Sequence, residues 1–303
     1  MKRVLTAIVL IPLVLAAVFF SSDWLFATIL GLIALICLHE FLRLASVLGD
    51  TPHFLAYAFV VLVFFALAAG PYLPSSASGL VVFFWMAQLI FPLTILTWSL
   101  SKNDYRASLR GGGLALLGAY YVTIPLICID VLREHASLGN YFLILLFVIV
   151  WGGDVAAFYI GKLFGKHPLA PRVSPGKTWE GSVASVVFAS LLAVTIAGWL
   201  APKLSGSPIS RFLGPHTSTG IIISPPLWAS LLLGVLVNVS AQIGDLVESM
   251  LKRAADVKDS GTLLPGHGGM LDRIDALLFA APVGMLIFFF AEQFFAAEAN
   301  LIR

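Results

Sequence analysis

Apolar runs nearly as long as a bilayer is thick recur along this chain, and they leave few folds open to it. "VLTAIVLIPLVLAAVFF" (4–20) and "FLILLFVIVWGG" continued by "DVAAFYI" (142–160) approach the ~20 apolar residues a helix needs to cross hydrocarbon. In lipid every backbone N–H and C=O must be satisfied internally, and runs this continuous suit helices rather than barrel strands. Cutting the sequence at polar and Gly/Pro clusters gives about nine spans, near 4–20, 24–47, 53–70, 79–100, 113–132, 141–161, 182–200, 223–244 and 274–295. The expected fold class is therefore all-α, a polytopic transmembrane helical bundle. Charged residues make up 11% of the chain and hydrophobic ones 59%, whereas roughly a quarter of a soluble domain is charged, so a membrane-embedded fold is expected in place of a water-soluble one.

Lys2 and Arg3 precede the first run as in a secretory signal, but no small-residue cleavage site follows, and the run reads as a retained first helix. Cys37 and Cys128 lie inside apolar runs, which suits packing rather than a disulfide or a metal. A net charge of +2 is too small to argue for a nucleic-acid partner. Where the basic residues fall is more telling, because cytoplasmic loops carry the excess. With the N-terminus inside, Lys2, Arg3, Arg43, Lys102, Arg106, Arg110, Lys162, Lys166, Arg172, Lys177, Lys252, Arg253, Lys258 and Arg273 face the cytoplasm; only Arg133, Lys203, Arg211 and Arg303 face out.

The loops placed outside, 71–79 and 201–220, are Ser/Pro/Gly-rich and lack acids, as plain connectors do. Two inner loops, 162–181 and 245–275, are chemically dense. The expected organisation is thus residues 1–150 as N-terminal transmembrane helices and 151–303 as a catalytic transmembrane region whose chemistry sits on the cytoplasmic face.

Three clusters carry that chemistry. If the eighth helix continues past Asp245, then Asp245, Glu248, Ser249 and Lys252 form one polar stripe at helical spacing. In "LPGHGGMLDRID" (264–275) a Gly-rich turn precedes a helix start, where N–H groups can be aimed at phosphate, and Asp272 and Asp275 share a face suited to oxygen coordination of Mg²⁺. The helix dipole alone also favours carboxylates there. In "PRVSPGKTWEG" (171–181), Ser174-Pro175-Gly176 reads as a turn and Thr178 as a helix cap. Lys177 then sits beside a helix N-terminus, where a cation is explicable if an anion joins it, or is a solvated loop lysine. Asp154, inside an apolar run, is expected to face the bundle interior with a partner or cavity. Glu40 and Arg43 are spaced to pair with each other. Cations, carboxylates and a Gly-rich turn at one membrane surface are what a site handling polyphosphate with Mg²⁺ requires. A transporter is the rival from another class, because intramembrane acids also move ions.

"SMLKRAADVKDSGTLLPGHGGMLDRID" (249–275) resembles the signature of the phosphatidate cytidylyltransferases, also called CDP-diacylglycerol synthases, and "SPGKTWEG" (174–181) resembles the family's upstream S-P-x-K-T-x-E-G element. Gly176 stands where many members have Lys. The likeness is specific over about 150–275 and general over 1–150. It implies condensation of CTP with phosphatidate from the bilayer to give CDP-diacylglycerol and pyrophosphate, for phospholipid biosynthesis in a cytoplasmic (inner) membrane. It implies Mg²⁺, with a second cation, on Asp245 and Asp272 with Asp275 close by. Lys252, Arg253, Asp272 and Lys177 are the expected catalytic residues. Ser174, Lys258, His267, Gly268, Gly269 and Arg273 are the expected substrate contacts. A homodimer is an expectation from the resemblance alone. A cytidylyltransferase acting on another lipid phosphate, such as a polyprenyl monophosphate, would carry the same chemistry.

Overall fold

Each apolar run becomes a helix. The computed structural model describes residues 2–46, 52–72, 77–134, 139–204, 226–263 and 268–301. Among them run α1 (Lys2–Phe20), α2 (Asp23–Ser46), α3 (His53–Ala69), α4 (Ala77–Leu100), α5 (Tyr105–Glu134), α6 (Gly139–Phe164), α7 (Trp179–Thr195), α8 (Leu227–Ala254) and α9 (Leu271–Leu301). A π-helical stretch, Ile196–Leu200, and a short helical turn, Ala201–Leu204, prolong α7. Among the described residues seven helices are long and apolar enough to cross a membrane, while the apolar parts of α1 (Leu10–Phe20) and α3 (His53–Ala69) are shorter. Large side chains left open, such as Phe65 and Trp85 at 71% exposure, are what a lipid-facing surface carries, since hydrocarbon rather than water is its solvent.

Two expectations change. The fifth span starts at Tyr105, not near 113. Asp104 caps it, its Oδ1 accepting from Arg106 N at 3.0 Å and Ala107 N at 3.1 Å, and the helix runs on through Gly111–Gly113. Gly112 is needed there because a Cβ would come within 2.7 Å of Ile95. The segment Ser174–Thr178, expected to begin with a turn at Ser174-Pro175-Gly176, is instead a strand, β2, paired antiparallel with β1 (Pro168–Ala170) in the register Pro168 to Thr178 and Ala170 to Ser174. The chain reverses at Pro171–Val173, closed by Val173 N donating to Ala170 O at 3.1 Å.

The chain divides into two compact units whose boundaries cut through α5, α8 and α9: Met1–Leu126 with Leu251–Ile274, and Ile127–Met250 with Asp275–Arg303. In the first, α2 packs on α3, with Phe64 against Gly31, and Phe59, Phe91 and Tyr120 of α3, α4 and α5 form an aromatic cluster. In the second, small residues let helices approach closely, as expected where lipid gives no hydrophobic drive to association. Gly152 of α6 meets Leu192 of α7, Gly181 of α7 lies over the Ala157 carbonyl of α6, and Gly234 of α8 lies over the Ser190 backbone of α7.

Candidate active site

In the first unit the site is built around Asp272, in the first turn of α9. Its Oδ1 pairs with Lys252 Nζ at 2.6 Å, and the two side chains are only 4% and 13% exposed. Its Oδ2 accepts from Gly269 N at 2.8 Å, Ser260 N at 2.9 Å and Ser260 Oγ at 3.0 Å. Gly268 adopts φ +79°, a left-handed conformation that suits glycine, and a Cβ there would stand 2.5 Å from Asp272 Oδ2. The Gly-rich turn is therefore folded onto the Asp272 carboxylate.

Glu40, at 5% exposure, belongs to the same cluster, and the expected pair with Arg43 is not what it forms. Its Oε1 accepts from Met270 N at 2.9 Å and its Oε2 from Leu271 N and Ser260 Oγ, both at 2.8 Å. Arg43, three residues on, is exposed. Sequence spacing along one helix gave no sign of a partner 230 residues away. Ser260 was likewise missed, being one polar loop residue among many.

In the second unit Lys177 at the end of β2 pairs with Asp245 of α8, Nζ to Oδ2 2.5 Å, at 26% and 39% exposure. Thr178 caps α7, its Oγ1 accepting from Gly181 N at 3.2 Å. The anion that joins the lysine at this helix N-terminus is thus the Asp245 carboxylate. Glu180 holds the preceding connection: its carboxylate accepts from Lys166 N at 3.1 Å and His167 N at 3.3 Å, with His167 Nδ1 at 2.6 Å. Towards the middle of α7 and α8 a polar ladder continues, Ser182 Oγ donating to Gln242 Oε1 at 2.5 Å, Gln242 Nε2 to Asn238 Oδ1 at 2.8 Å and Ser185 Oγ to Asn238 Oδ1 at 3.1 Å. Such bonds between helices keep polar groups satisfied at membrane depth.

Asp154 was expected to face the bundle interior with a partner or a cavity, and the charged side chains of Asp245 and Lys177 are its electrostatic neighbours. Its neighbour Gly153 packs against Ser185 and Asn238, while the Asp154 side chain itself remains accessible. The stripe on α8 is real but not uniform. Ser249 Oγ lies 3.4 Å from Asp245 Oδ1, whereas Glu248 is fully buried.

The remaining expected residues fall as follows. Arg253 is exposed, its Nη1 donating to Val257 O at 3.2 Å. Lys258 and Arg273 are exposed. Ser174 is half-buried in β2, and Asp275 is half-buried, its Oδ1 accepting from Ala276 N at 2.8 Å. His267 lies outside the described residues. Among the described residues no three His, Cys, Asp or Glu side chains converge as a closed metal cage. Mg²⁺ does not require one, because it is commonly held by one or two carboxylates plus substrate phosphates and water. Asp245 fits that use better than Asp272, whose Oδ2 already accepts three donors.

The sequence is similar to known proteins along almost its whole length. The model of the cytidylyltransferase family matches residues 1–291, and the chain belongs to that family. It is 35% identical to the phosphatidate cytidylyltransferase of Haemophilus influenzae, over 95% of this chain and 98% of that one. It is 34% identical to the protein of that name from Pseudomonas aeruginosa, over 93% and 94%. A Staphylococcus haemolyticus protein of the same name is 31% identical, over 93% and 96%.

Proposed function

We propose that this chain is an integral-membrane phosphatidate cytidylyltransferase, which condenses CTP with phosphatidate to give CDP-diacylglycerol and pyrophosphate. The observation that carries the reading is likeness along almost the whole length of relatives bearing that name. The residues agree with it: each unit carries a lysine–carboxylate pair, Lys252 with Asp272 in the first and Lys177 with Asp245 in the second, the kinds of group that polyphosphate chemistry needs. A phosphatidate phosphate oxygen forms the new bond to the α-phosphorus of CTP while the bond to the β-phosphate oxygen breaks, and pyrophosphate leaves. Phosphate oxygens are already anionic, so no base is required to generate the nucleophile. Lys177, Lys252 and Arg253 hold phosphate groups and offset charge. Lys258, Arg273, Ser174 and the Gly268–Gly269 backbone are further substrate contacts.

Of the acids that the resemblance names, Asp245, Asp272 and Asp275, Asp245 would hold Mg²⁺, and the ion would supply charge neutralisation on the phosphates. The basic residues of the loops support an inner-membrane orientation with this chemistry on the cytoplasmic side. The test is pyrophosphate release by the purified protein in detergent, with CTP and phosphatidate, with and without Mg²⁺. Release that needs all three is expected. Release with a polyprenyl phosphate in place of phosphatidate would move the assignment to another lipid, and no release from a folded sample with any lipid phosphate would overturn it.

A further inference from the structure

Resting on the reading above, we infer that Glu40 of α2 is a positioning residue for cytidylyl transfer, holding the start of α9 and the Gly268–Leu271 turn in the conformation that presents Asp272. The helix that carries Asp272 begins at Leu271. The residue before it is Met270, whose side chain has no oxygen with which to cap a helix. The cap comes from Glu40, which accepts both Met270 N at 2.9 Å and Leu271 N at 2.8 Å. At 5% exposure a carboxylate persists only when such donors, and here the positive end of the helix dipole, compensate for lost water.

The grip extends to Asp272 through one side chain. Ser260 Oγ stands 2.8 Å from Glu40 Oε2 and 3.0 Å from Asp272 Oδ2, so its single proton serves both acids. The fit leaves no slack. A Cβ on Gly261 would come 2.5 Å from Glu40 Oε1, and one on Gly269 would collide with Ser260 Oγ and Glu40 Oε2. Glu40 acts on Asp272 and on the turn through Ser260, Met270 and Leu271. The N-terminal helices therefore supply part of the site architecture and not only a membrane anchor.

The test compares E40Q and E40D with wild type by peptide-resolved amide exchange and by steady-state kinetics in detergent. Gln keeps the shape of Glu40, but its NH₂ must oppose one of the two backbone N–H groups. E40Q is expected to exchange faster at 269–272 and to lose about tenfold or more in kcat, of the size seen when a supporting contact to a site residue is removed. The KM for phosphatidate is expected to stay unchanged. E40D, which restores the charge, is expected to recover part of that loss. Unchanged protection at 269–272, or kcat for E40Q within about twofold of wild type, would overturn the inference, as would a loss that merely tracks the folded fraction by gel filtration. If wild type itself releases no pyrophosphate, the functional reading fails, while the exchange data still decide whether Glu40 holds the turn.

Discussion

Replacing Lys252 with Met tests the energetics on which the Asp272 cluster rests. The pair is short, 2.6 Å, and nearly closed to solvent, at 13% and 4% exposure. Removing one partner of a buried ion pair typically costs about 3–5 kcal/mol, because the other charge is left uncompensated. Here Asp272 Oδ2 keeps three donors, from Gly269 N, Ser260 N and Ser260 Oγ, so the lower end, about 3 kcal/mol, is expected. At roughly 2–4 °C per kcal/mol for chains somewhat shorter than this one, the melting midpoint should fall by roughly 5–10 °C. Asp272→Asn should also destabilise, since it leaves the lysine ammonium against an amide. The double variant removes both charges, and a cycle of the four proteins by thermal unfolding in detergent should give a coupling of about 1–3 kcal/mol. Strict additivity, within about 0.5 kcal/mol, would show that the two side chains do not act on each other and would refute the reasoning.

Other consequences follow from the same geometry. Asp245→Asn should abolish CTP-dependent pyrophosphate release while moving the melting midpoint little, because a pair at 26% and 39% exposure contributes only about 0–1 kcal/mol; a fully active variant would remove Asp245 from the chemistry. Gly269→Ala forces a methyl onto Ser260 and Glu40 and should destabilise by about 1–3 kcal/mol. Gly113→Ala, with nothing within 4 Å of the new carbon, should be neutral or stabilising by up to about 1 kcal/mol in the same melts. Glu180→Ala removes the acceptor for Lys166 N and His167 N, and amide exchange at 166–170 should quicken while that of α9 stays unchanged.

The length and continuity of the apolar runs determined by themselves that this chain is helical and membrane-embedded, because bilayer thickness and backbone satisfaction leave no other solution. The grouping of cations, acids and glycines in 171–181 and 245–275 was likewise legible, since each cluster is local in sequence. Thr178 as a helix cap follows from its own side chain and its own neighbours, and the structure bears it out. Glu40 did not follow. Its spacing to Arg43 suggested a pair along one helix, and only the folding of the 251–274 segment against α2 turned it to Met270, Leu271 and Ser260. The local anion for Lys177 was also decided in three dimensions, when α8 brought Asp245 to β2. Asp154 shows the same division: its place in an apolar run marked it as unusual, but only the fold brought Asp245 and Lys177 to it as charged neighbours. Periodicity and capping are encoded within a few residues and can be read along the chain. A buried carboxylate takes whichever donors the tertiary fold delivers, and in this chain those lie up to 231 residues away.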